Sequence, residues 1–217
     1  MAVGDHGKGF MNLIDKTYII AEIGVNHNGC LDEAIDLVYK SKSCGVNAVK
    51  FQKRHLPSLY SEQTLLDSNN SEWNFEYLIP QLEKLELSLD DYHAINKLCK
   101  SLDLDSIITP MDEHSVEDIS NLNLSAVKIA SADLVNIPLI KKCRNLNLPF
   151  LISTGLWEDS TIRKCASIFR KLKIDFSFLL ANCTYPTPFE EISLNYLDTL
   201  RNYSKFVGYP GHERGIF

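Results

Sequence analysis

Short apolar runs alternate with amphipathic stretches along most of this chain. The first run leads into Glu22, and the strand it predicts covers Thr17 to Ile23. Gly24, Asn26, Asn28 and Gly29 follow, residues that favour loops. Leu31, Ala34, Ile35 and Val38 then recur at helical spacing, which predicts a helix over Leu31 to Ser43, ended at Cys44-Gly45. The same unit returns six times. Its strands are predicted over Asn47–Gln52, Asp105–Pro110, Ala126–Ser131, Pro149–Gly155, Asp175–Asn182 and, shorter, Phe206–Tyr209. Ser88 with Asp91 reads as a capping box opening a helix that buries Tyr92, Ile95, Leu98, Cys99 and Leu102. A short helix is expected over Ser115 to Leu122, and Pro138 suits the first turn of another. Ile162, Cys165, Phe169 and Leu172 mark a further helical face, and Leu194, Leu197 and Leu200 one more. The exception is Lys53 to Leu87, polar and aromatic without a clear period. Loops of that length inside a compact domain are usually functional or disordered. Its Trp73, Phe75 and Tyr77 read as packing against the strands, with a lid as the alternative.

Seven βα units in series argue for a parallel sheet. A doubly wound sheet fits the alternation, but no G-x-G-x-x-G follows the first strand. Polar residues end nearly every strand, which favours a (β/α)8 TIM-type barrel with its site at the carboxyl ends. No eighth strand is visible, so the expected organisation is a leader over 1–16 and an incomplete barrel over 17–217.

Composition narrows the function classes. A net charge of −6 gives no basic footprint for nucleic acid or an anionic membrane, so an anionic substrate needs a local cluster of cations. The N-terminus lacks an apolar signal core and no run reaches membrane-spanning length. The six cysteines include no C-x-x-C pair, and they read as reduced, buried thiols of a cytoplasmic protein.

If the strands close into a barrel, their ends bring together Glu22, Lys50, Gln52, Thr109, Lys128, Ser131, Ser153 and Tyr185. Two lysines supply charge and the hydroxyls supply direction for a phosphate and a carboxylate. Taken singly, Lys50 and Lys128 read as strand-end residues reaching solvent. Both sit between apolar neighbours, and burying an ammonium without an anion is costly. His27, close to Glu22, is read as shaping its loop through side-chain to backbone bonds rather than as catalytic.

The strings A-E-I-G-V-N-H-N-G, V-K-F-Q, K-I-A-S-A-D, I-S-T-G, Y-P-T-P-F-E-E and G-Y-P-G-H-E-R-G occur in this order. Together they closely resemble the N-acetylneuraminate (sialic acid) synthase family, which includes legionaminate and pseudaminate synthases. The resemblance runs from about Tyr18 to the last residue. It implies a (β/α)8 barrel, usually followed by an antifreeze-like domain that swaps across a homodimer and is absent here. It also implies condensation of phosphoenolpyruvate with an N-acetylated hexosamine such as N-acetylmannosamine, with Mn or Mg as divalent metal.

Carried over by motif, Lys50 and Lys128 hold the phosphoenolpyruvate anion, with Thr109, Ser131 and Ser153 as hydroxyl donors. Gln52 lies between the two substrates. Glu22 serves proton transfer, Asp133 and Tyr185 meet the sugar, and His212 is a metal ligand. Three departures qualify this. The family's second metal histidine lies beyond Phe217, Pro210 replaces a serine, and the run before Tyr185 is a residue short, leaving Asn182 or Cys183 for one polar position. The alternatives are a truncated homologue that binds anions without catalysis, and a phosphoenolpyruvate aldol synthase for another sugar.

Overall fold

The computed structural model describes residues 17–66, 71–72 and 77–215. The expected leader, Trp73, Phe75 and the Tyr77 side chain lie outside this description. The chain divides into two compact units, Met1–Ser125 and Ala126–Phe217.

The first unit runs β1 (Ile20–Gly24), α1 (Leu31–Ser43), β2 (Ala48–Lys53), α2 (Leu56–Leu59), α3 (Glu62–Leu66), β3 (Ser71–Glu72), β4 (Tyr77–Leu78), α4 (Ile79–Leu85), α5 (Leu89–Ser101), β5 (Asp105–Pro110) and α6 (Glu113–Asp118). β2 is central, with β1 and β5 parallel on either side. Helix α1 forms where expected. Ala34 and Val38, one turn apart, are fully buried, while Asp32 and Glu33 open the helix and Lys40 and Lys42 close it, as its dipole favours. The capping box also forms: Ser88 Oγ accepts from Asp91 N–H at 3.2 Å and Asp91 Oδ2 accepts from Ser88 N–H at 2.9 Å. Tyr92, Ile95 and Cys99 are buried, but Leu98 and Leu102 are only half-buried, at the margin of the helical face.

The segment 53–87 is a correction to the sequence reading. Its described residues include three short helices and a two-stranded antiparallel ribbon, β3–β4. Elements of two to seven residues are too short to show a hydrophobic period. Gly29 is tied to this segment: its φ is +73°, and a Cβ there would lie 2.0 Å from the Lys84 carbonyl oxygen. The loop after β1 therefore rests directly on the end of α4.

The second unit runs β6 (Ala126–Ile129), α7 (Ile137–Arg144), β7 (Phe150–Ser153), α8 (Asp159–Lys171), β8 (Phe176–Leu179), α9 (Tyr196–Leu200) and β9 (Val207–Gly208). All its strand pairs are parallel. Ile162, Cys165, Ala166 and Phe169 form the buried face of α8, and Phe169 meets Phe176 edge-on at 5.4 Å. Leu200 is buried, but Leu194 lies before α9 and is 49% exposed, so it is no part of that face. Cys99, Cys143 and Cys165 are buried as expected, whereas Cys30, Cys44 and Cys183 are exposed. The exposed three sit on loops and caps, where the apolar pattern carries no information.

Candidate functional site

In the first unit the chemistry gathers at the carboxyl end of β2. Alternation along that strand puts Ala48, Lys50 and Gln52 on one face and Val49, Phe51 and Lys53 on the other. Glu22 is the register neighbour of Lys50 on β1, and Thr109 that of Gln52 on β5. Lys50 is 2% exposed; its ammonium lies 2.8 Å from Glu22 Oε2 and donates to Thr109 Oγ1 at 3.3 Å. The Glu22 side chain is itself 44% exposed, so one member of the pair reaches solvent. A buried ammonium needs such partners, since desolvation costs several kcal/mol (order of magnitude).

The opposite face of β2 carries a second ion cluster that the sequence reading missed. Lys53 lies 3.1 Å from Glu86 Oε2 and 3.8 Å from Asp118 Oδ2, and 6.0 Å from the centre of the Tyr92 ring. Tyr92 Oη donates to the Gln52 carbonyl at 2.5 Å. Burial pushes the Glu86 carboxyl above its usual range, and Lys53 offsets part of that rise. Arg54, also buried, donates from Nη1 to Gln52 Oε1 at 2.9 Å and so orients the Gln52 amide. The string F-Q-K-R, with two adjacent cations where the strand ends, was the available signal. Asp112 joins the loops after β2 and β5, accepting from His55 N–H at 2.8 Å and from Ser115 N–H at 2.8 Å.

His27 is fully buried, and its Nδ1 accepts from Gly29 N–H at 3.1 Å. That contact spans the loop after Glu22, as a loop-shaping residue would. Burial lowers the His27 pKa; the Gly24 carbonyl and Glu33 raise it in part.

In the second unit the groups are mostly neutral. Lys128 on β6 is half-buried and lies in register with Leu151. Ser153 ends β7 and is buried. Ser131 opens the 3-10 turn Ser131–Asp133, and its carbonyl accepts from Trp157 Nε1 at 2.6 Å. Gly155 lies against the same turn: a Cβ there would lie 3.1 Å from Ser131 Oγ and 2.6 Å from Cys183 Sγ. Asp133 Oδ1 accepts from Asn136 Nδ2 at 3.0 Å, and Asn136 in turn caps α7. Asn182 holds its own loop, accepting from Thr184 N–H at 2.8 Å and donating to Glu191 Oε2 at 3.0 Å. Tyr185 is 59% exposed, with its ring 4.1 Å from that of His212.

His212 Nδ1 lies 2.7 Å from the Asn182 carbonyl. A carbonyl only accepts, so the proton sits on Nδ1, the tautomer also found in histidines that bind metal through Nε2. Among the described residues, however, no cluster of three His, Cys, Asp or Glu side chains could hold an ion. His212 by itself does not make a metal site. No helix among the described residues is long and apolar enough to cross a membrane.

Comparison with known proteins adds to this geometry. A model of the NeuB family matches residues 37–217. The N-acetylneuraminate-9-phosphate synthase of Drosophila melanogaster is 38% identical over 211 residues, covering 94% of this chain and 56% of that protein. The N,N'-diacetyllegionaminic acid synthase of Legionella pneumophila is 33% identical over 209 residues, covering 92% of this chain and 58% of that protein. The chain thus spans a little over half the length of these curated relatives. Among solved structures, the N-acetylneuraminic acid (sialic acid) synthetase of Leptospira borgpetersenii, in complex with citrate, matches with a TM-score of 0.80. It is 26% identical, over 92% of this chain and 67% of that one. The likeness bears out an α/β fold of the TIM-barrel type.

Proposed function

Because the chain belongs to the NeuB family, we propose that it joins phosphoenolpyruvate to an N-acetylated hexosamine, such as N-acetylmannosamine, giving a sialic-type acid and phosphate. The names of the relatives, synthases of N-acetylneuraminate-9-phosphate and diacetyllegionaminic acid, support this reaction class. The observation that carries the reading is the buried Lys50 ammonium held between Glu22 and Thr109 at a strand end.

In this reading Lys50 and Thr109 serve the phosphoenolpyruvate anion, Lys128, Ser131 and Ser153 join that role through the family resemblance alone, and Gln52, steadied by Arg54, orients substrate. Carbon 3 of phosphoenolpyruvate forms a bond to the aldehyde carbon with its double-bond pair, the aldehyde C=O pair moves onto oxygen as an alkoxide that takes up a proton, and positive charge develops at carbon 2. Water adds there while Glu22, within reach of solvent, takes its proton. The tetrahedral intermediate then forms the carbon 2 carbonyl, its hydroxyl proton leaving with phosphate as the bond from carbon 2 to the ester oxygen breaks. Lysine and hydroxyl groups fixed beforehand stabilise the departing dianion without reorganising. Asp133 and Tyr185 are assigned to the sugar. Mn or Mg belongs to the proposal through the family resemblance; His212 offers it one nitrogen, and no step above runs through it. A cytoplasmic location, consistent with thiols free of disulfides among the described residues, and a homodimer belong to the same reading.

The test is phosphate release from phosphoenolpyruvate on addition of N-acetylmannosamine, with Mn, with Mg and with chelator. Sugar-dependent release is expected. No release across a panel of N-acetylated hexosamines overturns the proposal.

A further inference from the structure

The second unit contains a cavity of about 500 Å³ at the carboxyl ends of its strands, within the range of small-ligand sites. Its polar lining comes from Asn182, Thr184, Glu191 and Ser193, and its apolar lining includes Leu156 and Tyr209. No lysine, arginine or histidine lines it among the described residues.

Two features give this lining a chemical preference. Glu191 receives Asn182 Nδ2 at 3.0 Å and Thr184 Oγ1 at 3.2 Å, both on the same oxygen, Oε2. The carboxylate is thereby held in place, while among the described residues Oε1 takes no hydrogen bond. An ionised carboxylate only accepts, so it suits hydroxyl or amide hydrogens and repels an anion. Tyr209, meanwhile, commits its hydroxyl to Glu213 Oε2 at 2.9 Å. It brings the cavity its ring, and with Leu156 gives a surface for C–H groups. Leu156 adopts a φ of +71°, unusual for a branched side chain, and is 55% exposed at the cavity wall.

We propose that this cavity takes a neutral, hydroxyl- and amide-bearing portion of the acceptor sugar, with Glu191 reading its hydroxyls, and that it disfavours a phosphorylated acceptor. This rests on the synthase reading above and narrows it, because the phosphoenolpyruvate anion then belongs with the lysines and the uncharged substrate with Glu191.

The experiment is calorimetric titration of the whole chain with N-acetylmannosamine, its 6-phosphate and phosphoenolpyruvate separately. The neutral sugar is expected to bind more tightly than its phosphate. Glu191→Gln is expected to weaken the neutral sugar about tenfold or more, the loss of a charged acceptor, and to leave phosphoenolpyruvate unchanged. Ser193→Lys, which adds a cation to the lining, is expected to favour the phosphorylated sugar. Neutral sugar binding that fails, or that survives Glu191→Gln undiminished, overturns the assignment, as does tighter binding of the phosphate to the unaltered chain. Sugar binding with the expected Glu191 dependence but no phosphoenolpyruvate binding would instead sink the synthase reading and leave the cavity assignment standing.

Discussion

The two units present different chemistry at their strand ends. In the first, β2 and the residue directly after it supply Lys50, Lys53 and Arg54, all at most 8% exposed, each held by acidic or amide oxygens. In the second, Ser131, Asn182 and Glu191 are held by an indole, a backbone N–H and neighbouring hydroxyl and amide groups. The strand-end groups of the first unit are specified by charge balance, and those of the second mainly by neutral hydrogen bonds. Substitutions that remove charge should therefore act mainly on function in the first, while added bulk should be felt in both units, according to whether backbone or a side chain stands in the way.

The largest effect is expected from Lys50→Met. Phosphate release should fall about a hundredfold or more, the scale of losing a preorganised charge. Thermal stability should change little, because methionine fills the stem's volume and the half-exposed Glu22 can rehydrate. Unchanged phosphoenolpyruvate affinity in calorimetry would remove Lys50 from the anion site; Lys128→Met tests the second lysine in the same way.

Added bulk comes next. Gly29→Ala puts a Cβ on the Lys84 carbonyl at a positive φ, and should cost about 2–4 kcal/mol in urea unfolding. Gly155→Ala should cost less, about 1–3 kcal/mol, because the nearest atom is the Cys183 sulfur, which can rotate away. Cys183→Ala should restore part of that loss. Equal costs at the two glycines, with no rescue, would erase the distinction between a backbone and a side-chain obstacle.

A smaller change is expected from Trp157→Phe. It keeps a ring but deletes the donor to the Ser131 carbonyl, at about 1 kcal/mol. In steady-state kinetics the KM for phosphoenolpyruvate should rise a few-fold (about 1 kcal/mol in binding) with kcat nearly unchanged. A fall in kcat alone would place Trp157 outside substrate positioning.

The smallest effect is a pH dependence in the first unit. The His27 pKa is lowered in the folded state, so above its ordinary value of 6.5 its contribution to stability is complete. As pH falls through the window between 6.5 and the lowered value, the unfolded chain binds more protons and stability is lost. His27→Asn should flatten that slope in urea titrations at successive pH values. An unaltered slope would assign the acid sensitivity elsewhere.

The fold was legible where local pattern is strong. The α1 helix, the α5 capping box and the positions of all seven parallel strands follow from apolar period and cap chemistry. Glu22, Lys50, Thr109 and Ser153 were legible as strand-end polar residues, and the structure places the first three together. The ribbon β3–β4 and the short helices near it were not, because elements that short carry no period. Lys53, Arg54 and Glu86 were missed for a different reason. A cation or carboxylate beside a strand looks like a solvated residue until its burial is known.

What the chain's own letters determined is the alternation of strands and helices, together with the polar residues that end the strands. These depend on interactions within a few residues, through side-chain alternation, helical spacing and capping. What only the folded arrangement decided is which groups are buried and what answers them. It gives Lys50 its carboxylate and hydroxyl, Lys53 its two acids, Gly29 its carbonyl neighbour and Glu191 its fixed oxygen. Those pairings join residues from different strands and loops, and the desolvation that makes them matter exists only once the chain has packed.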